Sequence, residues 1–517
     1  MTAHEIRPEL LYPDRRLFLD YVASSDSAVR LFSNPPDGFA EAARVRQERG
    51  APREPLADAL EAFNERIGAS EASLANVARL RDATTVCVIG GQQAGFLGGP
   101  LYTVYKILSI VRLSSWLAET LSIPVVPVFW IATEDHDFTE INRAVFLEED
   151  GALRTISFDW RERGRPIEEL PITPEVADAA EQALARLSDD ARIPFEPGED
   201  NDYGTWHAQI WSRLFADEGL VLVEPRVVRP LCGPFFQEAL RRDEDVTRAL
   251  RDGAESVRAA GYEPLLDADR AGTLFRFDET GARVRVVRPA DHIDRALEKP
   301  SNYSPDAALR PILADRLFPT VANVLGPGEI EYHALLRPLY ELFGVPQPIA
   351  APRSGYTLLA DADRQLVETL GISVERLFRD DFDPNAILEA AASPSVRSAF
   401  DGARDGVRAV LEELRPQLLA IDPSLEARWR QTADHVAESL DRLEERARRT
   451  DLGQRSVSAK RVRRLLPLVR PAAKPQERVL SLVHVASQFG VEWLKRLPGS
   501  DRPDRFAHWL TTIRGGA

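Results

Sequence analysis

The chain has 517 residues, of which 44% are apolar and 28% are charged, a composition that excludes a largely disordered or fibrous protein. Its 65 lysines and arginines stand against 81 acidic residues, and the net charge of −16 argues against a dedicated nucleic-acid binder. Two cysteines are too few for a disulfide framework, and the sequence shows neither a signal peptide nor an apolar run of membrane-spanning length. We therefore expect a cytoplasmic protein of about three domains, or of one core with large insertions, and no nucleic-acid or membrane partner.

The best-patterned region predicts a β-α-β unit. Residues 84–90 are apolar and β-branched, as in a strand buried on both faces, so the thiol of Cys87 is expected to be structural. A glycine-rich turn follows, and apolar residues then recur at helical spacing over residues 101–121. Residues 123–133 indicate a second apolar strand.

A similar pattern recurs far downstream, which predicts a sheet that is discontinuous in the sequence. The downstream elements are a strand at 318–325, a turn at 326–328, a helix at 329–344 and a strand at 345–352. The residues between the two halves look like insertions, and they predict a helix at 206–215, a further strand at 219–226 and a hairpin around the turn Asp278–Gly281.

From about residue 384 the sequence predicts long helices without strands. Apolar residues between Leu425 and Ala447 alternate in steps of about four and three, which is typical of a coiled-coil seam. The antiparallel partner is the stretch 399–420, with Pro416 and Pro423 marking its end and the turn. Both a hairpin within one chain and a dimer interface fit this pattern.

The first of three polar clusters is the glycine-rich turn, which contains Gly91, Gln92, Gln93 and Gly95. Open parallel sheets bind ligands at the carboxyl ends of their strands, and glycines there leave backbone amides free for a phosphate or carboxylate. Lys106, two turns into the following helix, is placed to reach an anionic group. The turn matches neither GxxxxGK[ST] nor GxGxxG, so a tight turn without a ligand is the competing interpretation.

The second cluster is Glu134, Asp135, His136 and Asp137, at the end of the second strand. Three carboxylates beside one imidazole repel one another, so we expect a bound cation, a cationic substrate amine or a raised carboxylate pKa. No second histidine stands at zinc-site spacing, and no metal site is assigned. A capping carboxylate beside a buried histidine is the alternative.

The third cluster is Gly326, Gly328 and Glu329, with Tyr332 nearly one helical turn later. An acid at a helix start serves a ligand or caps the helix, and the sequence does not separate these roles. Arg310 is suited to bidentate binding of a carboxylate in the same cleft.

Four blocks carry a resemblance to a known family: GGQQAGFLGGPLYTVYK, PVFWIATEDHDFTEIN, YSPDAALRPILADRLFPT and GPGEIEYHALLRPLYELFGVPQP. They resemble the bacillithiol biosynthesis cysteine-adding enzymes, and the later PQERVLSLVHVASQFG is also similar. The resemblance implies an α/β fold with a Rossmann-like parallel sheet core, akin to class I synthetases, with insertions and a C-terminal helical coiled-coil domain that forms a homodimer. We accordingly predict an N-terminal helical segment at 1–75, the first half of the core at 76–145, core strands with connecting insertions at 146–315, the second half of the core at 316–375, the coiled-coil domain at 376–475 and a C-terminal helical segment at 476–517.

The reaction that the resemblance implies joins the carboxyl group of L-cysteine to the amine of glucosaminyl malate, which forms an amide bond and yields bacillithiol. A carboxylate does not acylate an amine unaided, so we hypothesise that ATP, accompanied by Mg, activates it. The Gln92–Gln93 turn and the Gly326–Glu329 turn would then bind the nucleotide, while Asp135, His136 and Asp137 would hold the amine or serve as base. The signature histidines and the mobile lysine loop of the synthetases are not evident in this sequence.

Two other functions stay open. One is a different nucleotide-dependent acyl or nucleotidyl transferase that acts on a small amine. The other is a non-catalytic dimeric coiled-coil scaffold, against which the intact acidic cluster 134–137 speaks.

Overall fold

A computed structural model describes residues 3–48, 53–160, 164–197, 202–391, 394–454 and 458–513. The chain divides into two compact units. The first comprises residues 1–147, 153–358 and 474–517, and the second comprises 148–152 and 359–473. The outermost residues of the predicted terminal segments, 1–2 and 514–517, lie outside the described residues. Within the described ranges, no helix is long and apolar enough to span a membrane.

The described residues form these strands: β1 His4–Glu5, β2 Val86–Gln92, β3 Val125–Ile131, β4 Arg143–Leu147, β5 Leu153–Ser157, β6 Val221–Val223, β7 Leu274–Phe277, β8 Arg283–Arg285, β9 Tyr303–Pro305, β10 Thr320–Leu325, β11 Ile349–Pro352, β12 Gly355–Ala360 and β13 His508–Ile513. They form these helices: α1 Pro8–Leu11, α2 Arg16–Val22, α3 Asp26–Val29, α4 Phe39–Glu48, α5 Glu54–Arg66, α6 Glu71–Arg79, α7 Leu101–Leu121, α8 Phe138–Ile141, α9 Pro174–Leu184, α10 Asp189–Arg192, α11 Tyr203–Leu214, α12 Pro225–Val228, α13 Gly233–Arg241, α14 Asp243–Ala259, α15 Ile293–Glu298, α16 Leu309–Leu317, α17 Pro327–His333, α18 Arg337–Phe343, α19 Asp361–Thr369, α20 Val374–Phe378, α21 Pro384–Ala391, α22 Pro394–Ile421, α23 Leu425–Gln454, α24 Ala459–Val469 and α25 Leu482–Phe489.

The first unit is built around a five-stranded parallel sheet with the order β6-β3-β2-β10-β11. If these five strands are renumbered 1 to 5 in the order β2, β3, β6, β10 and β11, the sheet has the order 3-2-1-4-5 of a Rossmann sheet. The strand order reverses between β2 and β10. The predicted strands of both halves are confirmed as neighbours in one sheet. The strand predicted at 219–226 is β6, an edge strand of this sheet, so its classification as an insertion was wrong.

Helices cover the central strands on both faces, which explains their continuous apolar runs. Cys87 and Ile89 pack with apolar side chains of α5 and α6 in one cluster, and Cys87 is fully buried as predicted. The helix α7 packs on β2 close to Gly90, where an added Cβ would lie 2.8 Å from Cδ1 of Ile110. Glycine at this position therefore lets the helix approach the sheet.

The predicted helix 329–344 is two helices. The helix α17 begins at Pro327, inside the predicted turn, and ends at His333, and α18 begins at Arg337. Pro338 lies in the first turn of α18 and has no N–H to donate to the carbonyl four residues earlier, so a single continuous helix is interrupted there. The intervening Leu335 is fully buried.

The second unit contains the predicted antiparallel helical pair as a hairpin of α22 and α23. Pro423 lies in the turn as predicted, but Pro416 lies inside α22, which continues to Ile421, so the predicted helix end was wrong. Contacts to α23 hold the turns around this proline: the indole of Trp429 donates to the carbonyl of Leu411 (2.8 Å), and Arg415 pairs with Glu426. The hairpin closes within one chain, and the homodimer stays a prediction.

Buried histidines predict a loss of stability in mild acid. Burial lowers the pKa of His207 and of His333 to about 3. A folded-state pKa below the unfolded value of about 6.5 gives stability that is present above pH 6.5 and is lost as the pH falls toward 3. Each histidine should therefore lower the free energy of unfolding by about 2 kcal/mol when the pH falls from 7.5 to 5.

Urea unfolding at these two pH values checks this expectation. His207→Met should remove the contribution of His207 to the pH dependence of the unfolding free energy, because methionine does not titrate. His435→Met is the matched control, since His435 is exposed on α23, and it should unfold with the full pH dependence. An unchanged pH dependence in His207→Met would contradict the prediction.

Candidate active site

The candidate site lies where the strand order of the central sheet reverses. In an open α/β sheet this position leaves a crevice beyond the carboxyl ends of the two strands involved, here β2 and β10. The strand β2 ends at Gln92, and β10 ends at Leu325, directly before Gly326. The acidic cluster follows β3, the other neighbour of β2. All three predicted clusters therefore lie at the same edge of the sheet.

A buried ion pair joins the first and third clusters. The ammonium group of Lys106 is 1% exposed, and its Nζ lies 2.7 and 2.6 Å from the carboxylate oxygens of Glu329. The same nitrogen donates to the carbonyl of Gly91 (2.8 Å) and to Oε1 of Gln92 (2.9 Å). Lys106 thus reaches an anionic group, as predicted from its position in the helix, and that group is a side chain of the protein.

The two charges stabilise each other against burial. Burial lowers the pKa of Lys106, and the negative charge of Glu329 partly offsets this effect. Burial raises the pKa of Glu329, but the adjacent ammonium of Lys106 holds the pKa of this carboxylate below its ordinary value. Glu329 also accepts the backbone N–H of Gly326 at 2.6 Å, which caps α17. The sequence left a ligand-binding role and helix capping as alternatives for Glu329. The structure shows the cap, together with an ion pair that the sequence did not predict, and the ligand-binding role stays a prediction.

Asp135 is the acidic residue of the second cluster that faces the other groups of the site. Its carboxylate accepts Nε2 of Gln93 at 2.8 Å and the backbone N–H of His136 at 2.8 Å. Burial raises its pKa, but the guanidinium of Arg283 and these hydrogen bonds bring the pKa below its usual range. Asp135 is therefore an ionised carboxylate at neutral pH, and it lies next to the Gln92–Gln93 turn.

Arg283 is a site residue that the sequence did not reveal. It begins β8 in the predicted hairpin, and its guanidinium is 6% exposed and lies 4.0 Å from the ring centroid of Phe275. One of its terminal nitrogens lies 3.1 Å from Nδ1 of His136 and 3.5 Å from Oδ1 of Asp135. The only signal was its place next to the hairpin turn, since nothing in the sequence shows that this hairpin reaches the end of β3.

Arg310 interacts electrostatically with acidic residues of the second and third clusters. Burial lowers its pKa, but the negative charges of Glu134, Asp135 and Glu329 raise it above the ordinary value. The phenol of Tyr332 also contacts this arginine, and its own pKa is raised by burial and by Glu329. Arg310 is therefore electrostatically coupled to acidic residues of both the second and the third cluster.

The other two carboxylates of the second cluster have surroundings that differ from those of Asp135. Glu134 is 2% exposed, neither of its carboxylate oxygens has a hydrogen-bond partner among the described residues, and burial raises its pKa. Asp137 accepts the N–H and hydroxyl of Thr139 and caps α8. The three carboxylates therefore have three different environments, and the main cause of the raised pKa of Glu134 is burial.

Two glycines of the predicted site have different surroundings. Gly95 packs against Gly99, where an added Cβ would lie 2.6 Å from the Cα of Gly99, so the turn can form only with bare backbone at this position. At Gly328 an added Cβ would meet only ordinary contacts, with Leu265 at 3.8 Å and Arg15 at 3.9 Å.

The described residues contain no group of three or more histidine, cysteine or acidic side chains that could hold a metal ion.

The strand order and the charged groups at its reversal point define a Rossmann-like domain with a polar site in its usual crevice. Residues 1–354 match the family model described as bacillithiol biosynthesis BshC, N-terminal Rossmann-like domain, and residues 356–513 match the corresponding C-terminal coiled-coil domain. The chain belongs to the BshC family of bacillithiol biosynthesis.

Relatives of full length carry the same name. The chain is 30% identical over 547 residues to a protein of Geobacillus thermodenitrificans named "Putative cysteine ligase BshC", with 98% of this chain and 100% of the relative covered. Proteins with that name from Salinibacter ruber and Koribacter versatilis are each 28% identical, with 99% and 93% of this chain covered and 99% and 94% of the relatives. The names support a ligase as the general class of this protein.

Proposed function

We propose that the protein ligates the carboxyl group of L-cysteine to the amine of glucosaminyl malate through an amide bond, in a nucleotide-dependent reaction that yields bacillithiol. The observation that carries the proposal is the convergence of Lys106, Glu329, Asp135, His136 and Arg310 at the reversal point of the sheet. Membership of the BshC family and the names of the relatives support the choice of substrates.

The charges of the site suit an amino-acid and an amine substrate. Asp135, with its lowered pKa, is an ionised acceptor for a substrate ammonium group. Arg310 offers a planar guanidinium for a substrate carboxylate, a pairing that is commonly bidentate. His136 has a side chain that is 40% exposed beside Asp135, so it can touch a molecule held by these two residues.

A nucleotide fits the glycine-rich turn. Gly95 and Gly99 approach each other as bare backbone in the segment between β2 and α7, and Gln92 and Gln93 precede them. These residues, with Gly326 across the crevice, would hold ATP, and Mg²⁺ would arrive with the nucleotide. Bound ATP would supply the leaving group that makes the cysteine carboxyl reactive toward the amine.

The test is incubation of the protein with cysteine, glucosaminyl malate and ATP, with mass spectrometry of the ligated thiol. AMP or ADP among the products identifies the activation chemistry. His136→Ala should lower turnover by about 10²–10⁴-fold, the usual contribution of a proton-handling or donor side chain, with an unchanged thermal unfolding midpoint because His136 is half exposed.

His435→Ala is the matched control and should keep full turnover. Unchanged turnover in His136→Ala would remove His136 from the site. Absence of a ligated product, together with no thermal stabilisation by ATP or cysteine, would favour the scaffold function, because a ligand that binds the native state stabilises it.

A further inference from the structure

The environment of His136 decides which of its ring nitrogens carries the proton. Its Nδ1 lies 3.1 Å from a terminal nitrogen of Arg283. A guanidinium group is always protonated and only donates, so Nδ1 must accept and carries no proton in the neutral ring. The competing partner is Oδ1 of Asp135, but it lies 3.6 Å from Nδ1, beyond hydrogen-bond length, and already accepts the backbone N–H of His136 at 2.8 Å.

Arg283 is fixed in the orientation that this contact needs. Its Nε donates to the hydroxyl of Ser304 at 2.9 Å, and its second terminal nitrogen donates to the carbonyl of Pro305 at 2.7 Å. Its guanidinium also stacks over Phe275, and Ser304 is fully buried. These contacts come from β7 and β9, the strands of a three-stranded antiparallel sheet that Arg283 itself joins through β8. The nitrogen that faces His136 is therefore held in place by the rest of the guanidinium.

We infer that Arg283 is a positioning residue that holds His136 as the Nε2–H tautomer, so that His136 offers the substrate a hydrogen-bond donor and not a base. The inference rests on the proposed function. In this tautomer the only lone pair of the imidazole, at Nδ1, is occupied by Arg283, and Nε2 already carries a proton. Nε2 has no hydrogen-bond partner among the described residues, and the ring is exposed enough to reach a bound molecule.

A donor at this place suits acyl transfer. When an amine attacks an acyl carbon, negative charge develops on the acyl oxygen, and a preorganised N–H stabilises this charge. His136 would donate Nε2–H to that oxygen. The carboxylate of Asp135 would hold the attacking nitrogen and accept the proton that it loses as the C–N bond forms. The bond from the acyl carbon to the group supplied by ATP would then break, and this group would leave as AMP or phosphate with the bonding electrons. This assignment replaces the base role that the sequence left open for His136.

The first test reads the tautomer directly and does not depend on turnover. Long-range proton–nitrogen NMR spectra of the full chain with ¹⁵N-labelled histidine, recorded where His136 is neutral, should show an unprotonated Nδ1 and a protonated Nε2. His136→Gln assigns the signals by their loss. A protonated Nδ1 in the unaltered protein would overturn the inference.

Variants of Arg283 test whether this arginine fixes the tautomer of His136. Arg283→Met should give a mixture of tautomers, and Arg283→Lys, which keeps a cationic donor, should restore the single one. Arg285→Met is the control for charge loss on the same strand, since Arg285 is exposed and the hydrogen bond to the His136 ring comes from Arg283. A single unchanged tautomer in a folded Arg283→Met protein would refute the role of Arg283, and Arg283→Lys decides the question if the methionine variant does not fold.

The second test separates a donor from a base. Glutamine places an amide N–H near the position of Nε2, whereas asparagine places one near Nδ1. We expect His136→Gln to keep at least about tenfold more turnover than His136→Ala and His136→Asn, as a retained donor to a developing charge should. Equal inactivity of the three variants would remove the donor role. Failure of the proposed function would look different, because the unaltered protein would then form no ligated thiol while the NMR result stands.

Discussion

Glu329→Gln will lower the free energy of unfolding by about 3–5 kcal/mol and abolish ligation. The substitution leaves the ammonium of Lys106, which is 1% exposed, without its counter-charge, so that only uncharged oxygens remain around it, those of Gly91, of Gln92 and of the new amide. A buried charge that loses its partner costs far more than a surface pair. Denaturant unfolding measures the first effect, and product formation measures the second.

A double-mutant cycle isolates the ion pair. Lys106→Met removes the cation, and the double variant Lys106→Met/Glu329→Gln should be clearly less destabilised than the sum of the single variants, because neither isolated charge remains. Glu341→Gln is the matched control: Glu341 pairs with Arg337 one turn away on α18, both are well exposed, and its loss should cost less than about 1 kcal/mol. If Glu329→Gln costs no more than Glu341→Gln, the buried pair does not stabilise the site.

Glu477→Gln will cause a comparable loss of stability through a second buried network. The carboxylate of Glu477 is fully buried, binds the guanidinium of Arg353 through two hydrogen bonds (2.9 and 2.6 Å) and accepts the hydroxyl of Tyr12 at 2.8 Å. The backbone N–H of Arg353 in turn donates to Leu325, the last residue of β10. Loss of the charge leaves this arginine buried and unpaired, which should cost about 3–5 kcal/mol at neutral pH.

The pH dependence of this effect has a definite sign. Burial raises the pKa of Glu477, but Arg353 and Tyr12 lower it to about 2. A folded-state pKa below the unfolded value gives stability that is present above about pH 4.5 and is lost as the pH falls toward 2. The difference between Glu477→Gln and the unaltered protein should therefore shrink in acid, and Tyr12→Phe, which keeps the charge pair, should cost less at pH 7. A difference that is constant from pH 7 to pH 3 would contradict the ionic account.

The sequence predicted the sheet and the edge at which the site lies, because strands covered on both faces must be apolar and parallel strands present their carboxyl ends at one edge. It could not predict which members of a polar cluster act together. Glu134 and Asp135 lie in the turn after β3, outside the regular alternation of a strand, and there Glu134 is buried while Asp135 accepts a hydrogen bond from Gln93. Arg283 was missed because its role depends on where a distant hairpin packs, and that placement leaves no local pattern.

The partners Lys106 and Glu329 are separated by 223 residues along the chain. At ribosomal synthesis rates of about 5–20 residues per second, a nascent chain carries this lysine for roughly 10–45 s before its acid has been made. The first β-α-β unit therefore cannot close around α7 as translation proceeds without enclosing a lone cation. We therefore expect stable docking of that helix to follow synthesis of the second half of the sheet, and a fragment that ends before Glu329 to fold poorly.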